Sequence, residues 1–447
     1  MSVAVMKTKA ETSLDEDFQK LRDRLPGGSG VLAVRNAAHQ LFAERGLPHR
    51  RIEEWKYTDL KGLMKEALPV VVDGESKTTI ADVIVAMGAI GRLEVPRFVL
   101  VNGHYRKELS NLDGLNGVSV APFAQALSSD DAAAALELRE EDRGSDAVLA
   151  LNSAYATDGA VIDVASGSNV DAPLLVVHVR AGPTPRRSVG RNQIRVGEGA
   201  AITIVEMFVA VPGSAADGQM NTATEVQVGA GATVDHVKVT TDLGQVTHLA
   251  NWLVDMHGNA TYRAFQYTAG VGLARNQVRA TFKGEGVKLD ISGAFLARNS
   301  EHIDTTLFVD HAVPEGESRE LFKGVLDDNA RGIFQGKVVV RPDAQKTDGK
   351  QMAQALMLSE TCEFDSKPEL EIYADDVVCG HGSTSAAIDE DLLFYLRARG
   401  IPLDEARALL IQSFIGEAIE KVQHEGVREA LMIEAEAWLA ARSKTNK

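Results

Sequence analysis

The sequence predicts a mainly β protein whose core is a β-solenoid, or β-helix, with helical domains at both ends. Apolar residues recur at helical spacing in the first and last parts of the chain, whereas short β-branched runs fill the part between them. A glycine-containing turn repeats among those runs. We therefore expect a mainly helical domain at 1–95, a β-helix core at 96–385 and a helical domain at 386–447.

The N-terminal domain is predicted from one clear helical pattern that ends at residues 46–48, with sequence GLP. Its apolar positions are Leu32, Val34, Ala37, Leu41 and Phe42. The segment 53–60, with sequence EEWKYTDL, follows that helix. We expect its aromatic residues, Trp55 and Tyr57, to be packing anchors rather than ligand contacts.

The middle of the chain repeats itself. The sequence VGEGA at 196–200 returns as VGAGA at 228–232, and more loosely at 256–260 and 283–287. Equivalent positions 197, 229, 257 and 284 are therefore separated by 32, 28 and 27 residues. Repeats of this length, each with one turn, are typical of solenoids. Because strands fill each repeat at an irregular period, the pattern favours a β-helix over a hexapeptide-repeat acyltransferase.

The C-terminal domain begins where the helical pattern returns, after Ile388, and residues 400–402 (GIP) interrupt it. Its apolar positions include Leu392, Leu396, Leu409, Phe414 and Ile415. These are too many for short free helices to leave exposed, so we expect most of them to pack internally and a residual patch to bind a partner. We also expect the β structure to survive truncation after Ser385.

The composition excludes several partners. The 47 basic and 63 acidic residues give a net charge of −16, which repels nucleic acid and anionic membranes. Two cysteines, Cys362 and Cys379, are too few for a disulfide framework and indicate a reducing compartment. Residues 1–17 lack an apolar signal region, and no run approaches the roughly 18 apolar residues of a membrane span. We expect a soluble, cytoplasmic protein.

The most unusual segment is 375–384, with sequence DDVVCGHGST. It places Cys379 and His381 two residues apart among glycines, and both residue types bind soft metals. Aligned with the repeat turn at 228–233, they replace an ordinary Val and Ala. Two ligands cannot close a zinc or iron–sulfur site, so the remaining ligands must come from elsewhere, such as a second chain. On the motif alone, an inert buried cysteine and a hydrogen-bonding turn histidine are equally compatible.

Other polar clusters are expected to be structural. His302, Asp304, Asp310 and His311 match no metal motif by spacing, so we expect solvated loop residues. The acidic groups at 327–328, 375–376 and 389–391 are expected in turns and helix caps, with Asp389 at a helix start. Cys362 lies between acidic residues that disfavour its thiolate, so it is expected to be structural. No phosphate-binding loop motif is present, so any ATP use belongs to a partner.

Residues 367–384 and their continuation at 388–401 resemble the SufB/SufD family of iron–sulfur cluster assembly proteins. The shorter segments 54–60 (EWKYTDL) and 332–337 (GIFQGK) are similar to other signatures of that family. Within it, the helical N-terminal region and the few cysteines make the chain most similar to SufD. Gly380 and Ser383 depart from the family pattern, which has Ser or Thr after the cysteine and Ala after His-Gly. Both are small, so we expect the turn to be kept.

The resemblance implies a right-handed parallel β-helix and a non-catalytic scaffold role in the SUF system. It implies a SufB-like partner bound through the β-helix and a SufC-like ATPase bound through the C-terminal helical domain. The matching histidine, His381, is implicated in handling iron or a cluster at the SufB–SufD interface, with Cys379 a weaker candidate ligand. We expect no stably bound cofactor in the isolated chain, a transient iron or cluster at that interface, and a homodimer when the chain is alone.

Two other functions remain open. A β-helix enzyme such as a polysaccharide lyase usually works outside the cell and needs a carboxylate–calcium site with a basic catalytic residue. The chain has no clear constellation of that kind. A purely structural homodimer would leave Cys379 and His381 inert.

Overall fold

The computed structural model describes residues 7–72, 76–128, 134, 136–138 and 146–445. The absence of an export signal, expected from residues 1–17, is a prediction that falls partly on residues 1–6, outside the described residues. The fold is mainly β, with 41% strand and 26% helix, and its parallel β-solenoid has about eight turns. This confirms the predicted fold class.

Helices lie at both ends of the chain and in one segment between the first strands. They are α1 Lys9–Leu21, α2 Ser29–Arg45, α3 Leu60–Leu63, α4 Ile80–Ala86, α5 Phe123–Ala126, α6 Ala147–Tyr155, α7 Glu390–Ala398, α8 Leu403–Ile419 and α9 Glu425–Thr445. None of the described helices is both long and apolar enough to cross a lipid bilayer.

The strands fill most of the chain between α4 and α7. They are β1 Arg97–Val101, β2 His104–Tyr105, β3 Val118–Pro122, β4 Ala160–Val164, β5 Leu174–Arg180, β6 Arg187–Val196, β7 Ala201–Ala210, β8 Gly218–Val228, β9 Thr233–Thr240, β10 Gly244–Met256, β11 Thr261–Ala269, β12 Val271–Phe282, β13 Lys288–Ala297, β14 His302–His311, β15 Glu317–Leu326, β16 Arg331–Val340, β17 Asp348–Met357, β18 Glu363–Ile372 and β19 Val378–Ala386.

Two sheets form the walls of the solenoid, and successive strands alternate between them. One sheet has the order β19-β17-β15-β13-β11-β9-β7-β5-β1-β2, and the other has the order β18-β16-β14-β12-β10-β8-β6-β4-β3. All pairings are parallel except β1–β2 and β3–β4. A coil therefore consists of two strands and two connections, which explains the repeat period seen in the sequence.

The repeated turn is confirmed at all four positions, because it links β6 to β7, β8 to β9, β10 to β11 and β12 to β13. The strands that follow start in register, with Ala201, Thr233, Thr261 and Lys288 side by side. Two residues before each of these starts, the backbone has a positive φ. The residues concerned are Gly199, Gly231, Asn259 and Gly286. Glycine and asparagine adopt this conformation with little strain, which is why the turns share a sequence.

The same turn continues beyond the part of the chain where the sequence reveals it. Glu315 and Lys346 have φ angles of 59° and 60°, and each precedes the start of a strand, β15 or β17, by two residues. Neither residue type favours the left-handed region. The sequence repeat therefore fades although the structural repeat persists.

The solenoid interior is mostly apolar, and it holds a buried polar group in its middle coils. Glu206 accepts a hydrogen bond from the indole N–H of Trp252 at 3.3 Å and lies 3.3 Å from Nε2 of His236. Burial alone would raise the pKa of Glu206, but the His236 hydrogen bond and charge lower it to about 2. A buried carboxylate is tolerated here because it is paired on both sides.

Each outer face of the solenoid is covered by helices. α1, α2 and α6 share an apolar cluster with outward-facing residues of β6, β8, β10 and β12, whereas α8 and α9 share one with β5, β7, β9 and β11. The predicted helix around residues 32–42 is confirmed as α2, which ends at Gly46 with a φ of 71°. α6 was not expected, because all nine of its residues are buried and it shows no amphipathic pattern.

Three of the five apolar tail residues are covered, and Leu392 and Leu409 are exposed. α8 and α9 cover apolar residues of the solenoid such as Val237, Val239 and Phe265. The expectation that the β structure survives truncation after Ser385 stays a prediction. Truncation after Ser385 would expose that face to water.

Candidate functional site

Cys379 and His381 lie on β19, the last strand of the ten-stranded sheet. β19 pairs in parallel with β17, so that Cys379 lies beside Gly349 and His381 beside Gln351. The expectation that this segment is a glycine-rich turn is therefore wrong. Gly380 and Gly382 suggest a turn by residue type, but neither has a positive φ. The connecting turn comes earlier, at residues 373–377.

The alignment of residues 379–384 with 228–233 is wrong for the same reason. Following the strand register from sheet neighbour to sheet neighbour places Val378 in line with Thr233, Cys379 with Val234 and His381 with His236. The sequence alignment was shifted because it matched glycines to glycines. In the structure, the position of Gly231 is taken by Asp376.

The two candidate ligands share the inward-facing side of β19, since residues two apart on a strand point to the same face. Cys379 is partly buried and packs against the interior apolar cluster together with Leu370 and Val377. His381 is exposed at the C-terminal end of the solenoid. The structure therefore brings the two predicted residues together, with the thiol deeper than the imidazole.

The thiol of Cys379 is held in its protonated form. Burial raises its pKa, and the negative charges of Asp348 and Glu320 add to that rise, while the backbone N–H of Gly349 partly offsets it. Because the thiolate is the metal ligand and nucleophile, Cys379 is a poor ligand in this state. A cation or a changed environment at the site would have to lower the pKa first.

The chain does not complete a metal site by itself. Among the described residues, no group of three or more His, Cys, Asp or Glu side chains is placed to hold a metal ion. Cys379 and His381 supply two protein ligands, and zinc and iron–sulfur sites usually take four. Any metal at this position therefore needs ligands from another source.

Sequence reasoning missed a third residue, Glu320. It lies on β15 in the same column as His381, with Gln351 of β17 between them. Glu320 is only 2% exposed and Gln351 only 3%. In the sequence, Glu320 stands in the polar segment 317–320 (ESRE) and resembles a solvent-facing residue. Only the register of β15 on β13, which pairs Glu320 with the buried Ile291, identifies it as an inward position.

Comparison with known proteins agrees with this architecture. A family model described as "SUF system FeS cluster assembly, SufBD core domain" matches residues 179–414, and one described as "SufBD protein N-terminal region" matches residues 9–176. The chain belongs to the SufB/SufD family. Membership assigns it a role in iron–sulfur cluster assembly.

Individual relatives cover most of the chain. An iron–sulfur cluster assembly SufBD family protein of Synechocystis is 29% identical over 92% of this chain and 93% of its own length. The iron–sulfur cluster assembly protein SufD of Escherichia coli is 30% identical over 88% of this chain and 89% of its own. SufD of Bacillus subtilis is 28% identical over 64% of this chain and 65% of its own. Within the SufB/SufD family, the chain is therefore similar to SufD proteins.

The two short segments that resemble family signatures meet in the structure. The side-chain amide of Gln335 donates to the carbonyl oxygen of Glu54 at 3.2 Å, and Arg275 donates to the same oxygen at 2.7 Å. The Arg275 guanidinium also lies 4.0 Å from the ring centroid of Trp55, which is buried. Trp55 is thus confirmed as a packing anchor, and this contact fixes the N-terminal region to the solenoid.

The cluster of His302, Asp304, Asp310 and His311 forms strand β14 rather than a loop, so the expectation of solvated residues is wrong. Asp304 is fully buried between Thr58 and Arg275. Asp310 pairs with Arg341, and His311 faces inward, with Nε2 3.1 Å from the Ser318 hydroxyl oxygen. The four side chains do not converge, because His311 is on the opposite face of the strand from the others.

The remaining expectations for polar residues are confirmed. The carboxylate of Asp389 caps α7 by accepting hydrogen bonds from the backbone N–H groups of Asp391 and Leu392. Asp328 is in a turn, with a φ of 51°. Cys362 is buried, and its thiol lies 3.2 Å from the carbonyl oxygen of Ser359. A buried thiol of this kind serves packing rather than chemistry.

Glu320 makes stability depend on pH in a predictable direction. Burial raises its pKa to about 8, so between pH 4.5 and 8 the folded protein retains a proton that the unfolded chain loses. The contribution of this group to the free energy of unfolding is therefore highest below about pH 4.5. It falls by roughly 1.4 kcal/mol per pH unit as pH rises from there to 8, because folding then requires the carboxyl group to take up a proton. Glu320→Gln should remove this dependence, so chemical denaturation should find the variant more stable than wild type at pH 8.5 and similar at pH 4.5.

Glu317→Gln is the matched control, because Glu317 is exposed on the same strand. Its pH profile should follow wild type. An unchanged profile in the Glu320→Gln variant would contradict a raised pKa.

Proposed function

We propose that the chain is a non-catalytic scaffold subunit of the SUF cluster assembly machinery, acting in the cytoplasm. It pairs with a SufB-type subunit through the end of the solenoid and with a SufC-type ATPase through its C-terminal helices. His381, assisted by Cys379, meets iron or a nascent cluster at the interface with the SufB-type subunit. The observation that carries this proposal is the position of both residues on β19, at the open end of a sheet.

The pairing surface is supported by the edge strands. β18 and β19 are the last strands of their sheets, and each pairs on one side only among the described residues. Unpaired strand edges are templates for β-augmentation by another chain. Apolar side chains are exposed around this end, namely Ile372, Tyr373 and Val378. A SufB-type solenoid stacked on this end would cover them and continue both sheets.

The same end can pair with a second copy of the chain when no SufB-type subunit is present. Two-fold pairing of one surface with itself is the commonest route to a homodimer. A homodimer brings two copies of Cys379 and His381 to one interface. It differs from a purely structural dimer only in whether those residues bind iron.

The ATPase surface is supported by apolar and aromatic residues on α7 and α8 that are largely exposed in the described structure. Phe394 is 74% exposed, and Leu392, Tyr395 and Leu409 are also exposed. α8 itself is fixed to the solenoid, because Lys323 of β15 pairs with Glu417 and lies 4.4 Å from the ring centroid of Phe414. The exposed patch therefore includes part of a helix, α8, that is fixed to the solenoid.

The way in which the chain binds iron or a cluster follows from its two candidate ligands, His381 and Cys379. A neutral imidazole offers one nitrogen lone pair to iron, and the partner chain supplies the remaining ligands. The scaffold holds its cargo only while the two chains are paired, so no cofactor stays on the isolated chain. Family membership favours this function over a polysaccharide lyase, and the net charge of −16 disfavours binding to nucleic acid.

Replacing His381 tests the cargo site. His381→Ala should keep thermal stability and complex formation, because the side chain is exposed and the strand is held by its backbone. The reconstituted complex should lose most of its iron and sulfide, measured after anaerobic reconstitution. Cys379→Ala should lose less, since valine occupies the equivalent position in an earlier coil.

The control is His257→Ala, which removes an exposed histidine from the turn between β10 and β11. This variant should take up as much iron and sulfide as wild type. If the His381→Ala complex takes up as much iron and sulfide as wild type, the histidine has only a structural role.

Replacing Val378 tests the pairing surface. The isolated chain should be a dimer by multi-angle light scattering at micromolar concentration. Val378→Lys should shift it toward monomer and weaken binding of the SufB-type subunit, because a charge replaces a side chain that is 62% exposed beside the edge. Val85→Lys, at a similarly exposed valine on α4, should change neither the dimerisation nor the binding of the SufB-type subunit. A wild-type monomer, alone and with the partner, would place the interface elsewhere.

Replacing Phe394 tests the ATPase surface. Phe394→Asp should abolish co-purification of the ATPase and change the free energy of unfolding by less than about 0.5 kcal/mol, because the ring is mostly in solvent. Ile433→Asp, at an exposed apolar residue of α9, is the control and should retain the ATPase. Retention by Phe394→Asp would exclude this patch as the docking site.

A further inference from the structure

The last three coils of the solenoid contain a polar column that runs inward from the candidate site. Glu320, Gln351 and His381 occupy the same position on β15, β17 and β19, and all face the interior. The next two residues inward in this column are Ile291 and Ala264, which are buried and apolar. The column is therefore polar from the exposed His381 inward to Glu320 and becomes apolar at Ile291.

The two inner side chains of this column, Glu320 and Gln351, have incomplete hydrogen bonding among the described residues. Both carboxyl oxygens of Glu320 lack a hydrogen-bond partner of normal geometry among them, and so do both polar atoms of the Gln351 side chain. Gln351 reaches across the interior toward β16, where a Cβ on Gly336 would lie 2.2 Å from its Nε2. Buried polar groups in folded proteins are normally fully paired, so two adjacent groups with incomplete hydrogen bonding indicate an interaction that the isolated chain does not supply.

The groups around Glu320 leave its hydrogen bonding incomplete. The opposite sheet contributes the apolar side chains of Leu307, Phe334 and Val338 to the interior cluster. Burial raises the pKa of Glu320, and a side-chain hydrogen bond from Ser318, whose hydroxyl also lies 3.1 Å from Nε2 of His311, offsets part of that rise. The charged neighbours, Arg319 and Asp290, are on the outer face, where Arg319 pairs with Asp348.

We propose that Glu320 is the carboxylate that balances, from inside the solenoid, the charge of a cation held at His381 and Cys379. This inference rests on the proposed function and adds to it a positioning residue that does not itself touch the metal. Gln351 of β17 lies between the two in the strand register.

The distance supports a useful interaction. Neighbouring strands are about 4.8 Å apart, so Glu320 lies roughly 10 Å from the ligand position along the column. At an effective dielectric constant near 20, a carboxylate at that distance improves the binding of a cation by roughly tenfold per unit of charge. Solvent screens this interaction only at its outer end, because Glu320 and the intervening Gln351 are buried whereas His381 is exposed.

The interaction also couples cation binding to proton release. The pKa of Glu320 is raised to about 8, so the carboxyl group is mostly neutral at pH 7 when no cation is present. A cation at His381 favours the ionised form. The proton then leaves to solvent, and one negative charge is added behind the cation.

The test is an anaerobic titration with Fe²⁺ of the full chain assembled with its SufB-type partner, in weak buffer at pH 7 with a pH indicator. Wild type should bind Fe²⁺ and release protons, and the Glu317→Gln control should match it. Glu320→Gln should bind about tenfold more weakly or worse, and release up to one proton fewer per Fe²⁺. Glu320→Asp keeps the charge and should restore both quantities most of the way.

The outcomes separate this inference from the proposed function. If His381→Ala abolishes binding but Glu320→Gln matches Glu317→Gln in affinity and in protons released, the role of Glu320 is wrong and the site stands. If wild type binds no Fe²⁺, or His381→Ala binds as wild type, the proposed function is wrong and the role of Glu320 is wrong with it. A weaker Glu320→Gln with unchanged proton release, not restored by Glu320→Asp, indicates a packing role and also overturns the inference.

Discussion

In-register hydrogen bonding between parallel strands is the constraint on which the rest of this structure depends. Along each sheet the same strand position recurs from coil to coil, so a residue's place on its strand decides both its face and its neighbours above and below. A shift of one residue would turn every interior side chain outward. In the ten-stranded sheet, each strand from β7 to β17 starts two positions after a residue with a positive φ, namely Gly199, Gly231, Asn259, Gly286, Glu315 or Lys346, so these turns all end at the same point.

This stacking builds columns whose chemistry changes along the solenoid. The column that contains Cys379 begins with Val234, Tyr262 and Leu289, and continues through Ser318 and Gly349. Side chains therefore become smaller and more polar toward the C-terminal end. In the middle coils, Glu206 is paired with His236 and Trp252 and stabilises a closed interior. Near the open end, Glu320 has no ion pair or indole hydrogen bond among the described residues, and neither polar atom of the Gln351 side chain has a partner there.

The fold class, the strand-rich repeats and the terminal helices can be predicted from the sequence, because glycines mark the turns and periodic apolar residues mark the helices and strands. Glycine no longer marks the turn where Glu315 and Lys346 adopt the same conformation. Beyond this point, counting glycines shifted the register and placed Cys379 and His381 in a turn. The identity of the two residues could still be predicted, because their types are unusual in any register. Glu320 could not, since its burial depends on strand pairing with residues about thirty positions away.

An edge strand is also the one place in a solenoid where an incomplete site is physically reasonable. Residues of inner strands have neighbours on both sides, so a ligand set there would be complete or closed to exchange. On β19, backbone pairing with β17 fixes Cys379 and His381 on one side, while the other side is free to receive a second strand. Burial and nearby carboxylates raise the pKa of the Cys379 thiol, which keeps it in its unreactive protonated form. In the proposed function, assembly with a second chain and binding of iron or a cluster would therefore depend on the same event.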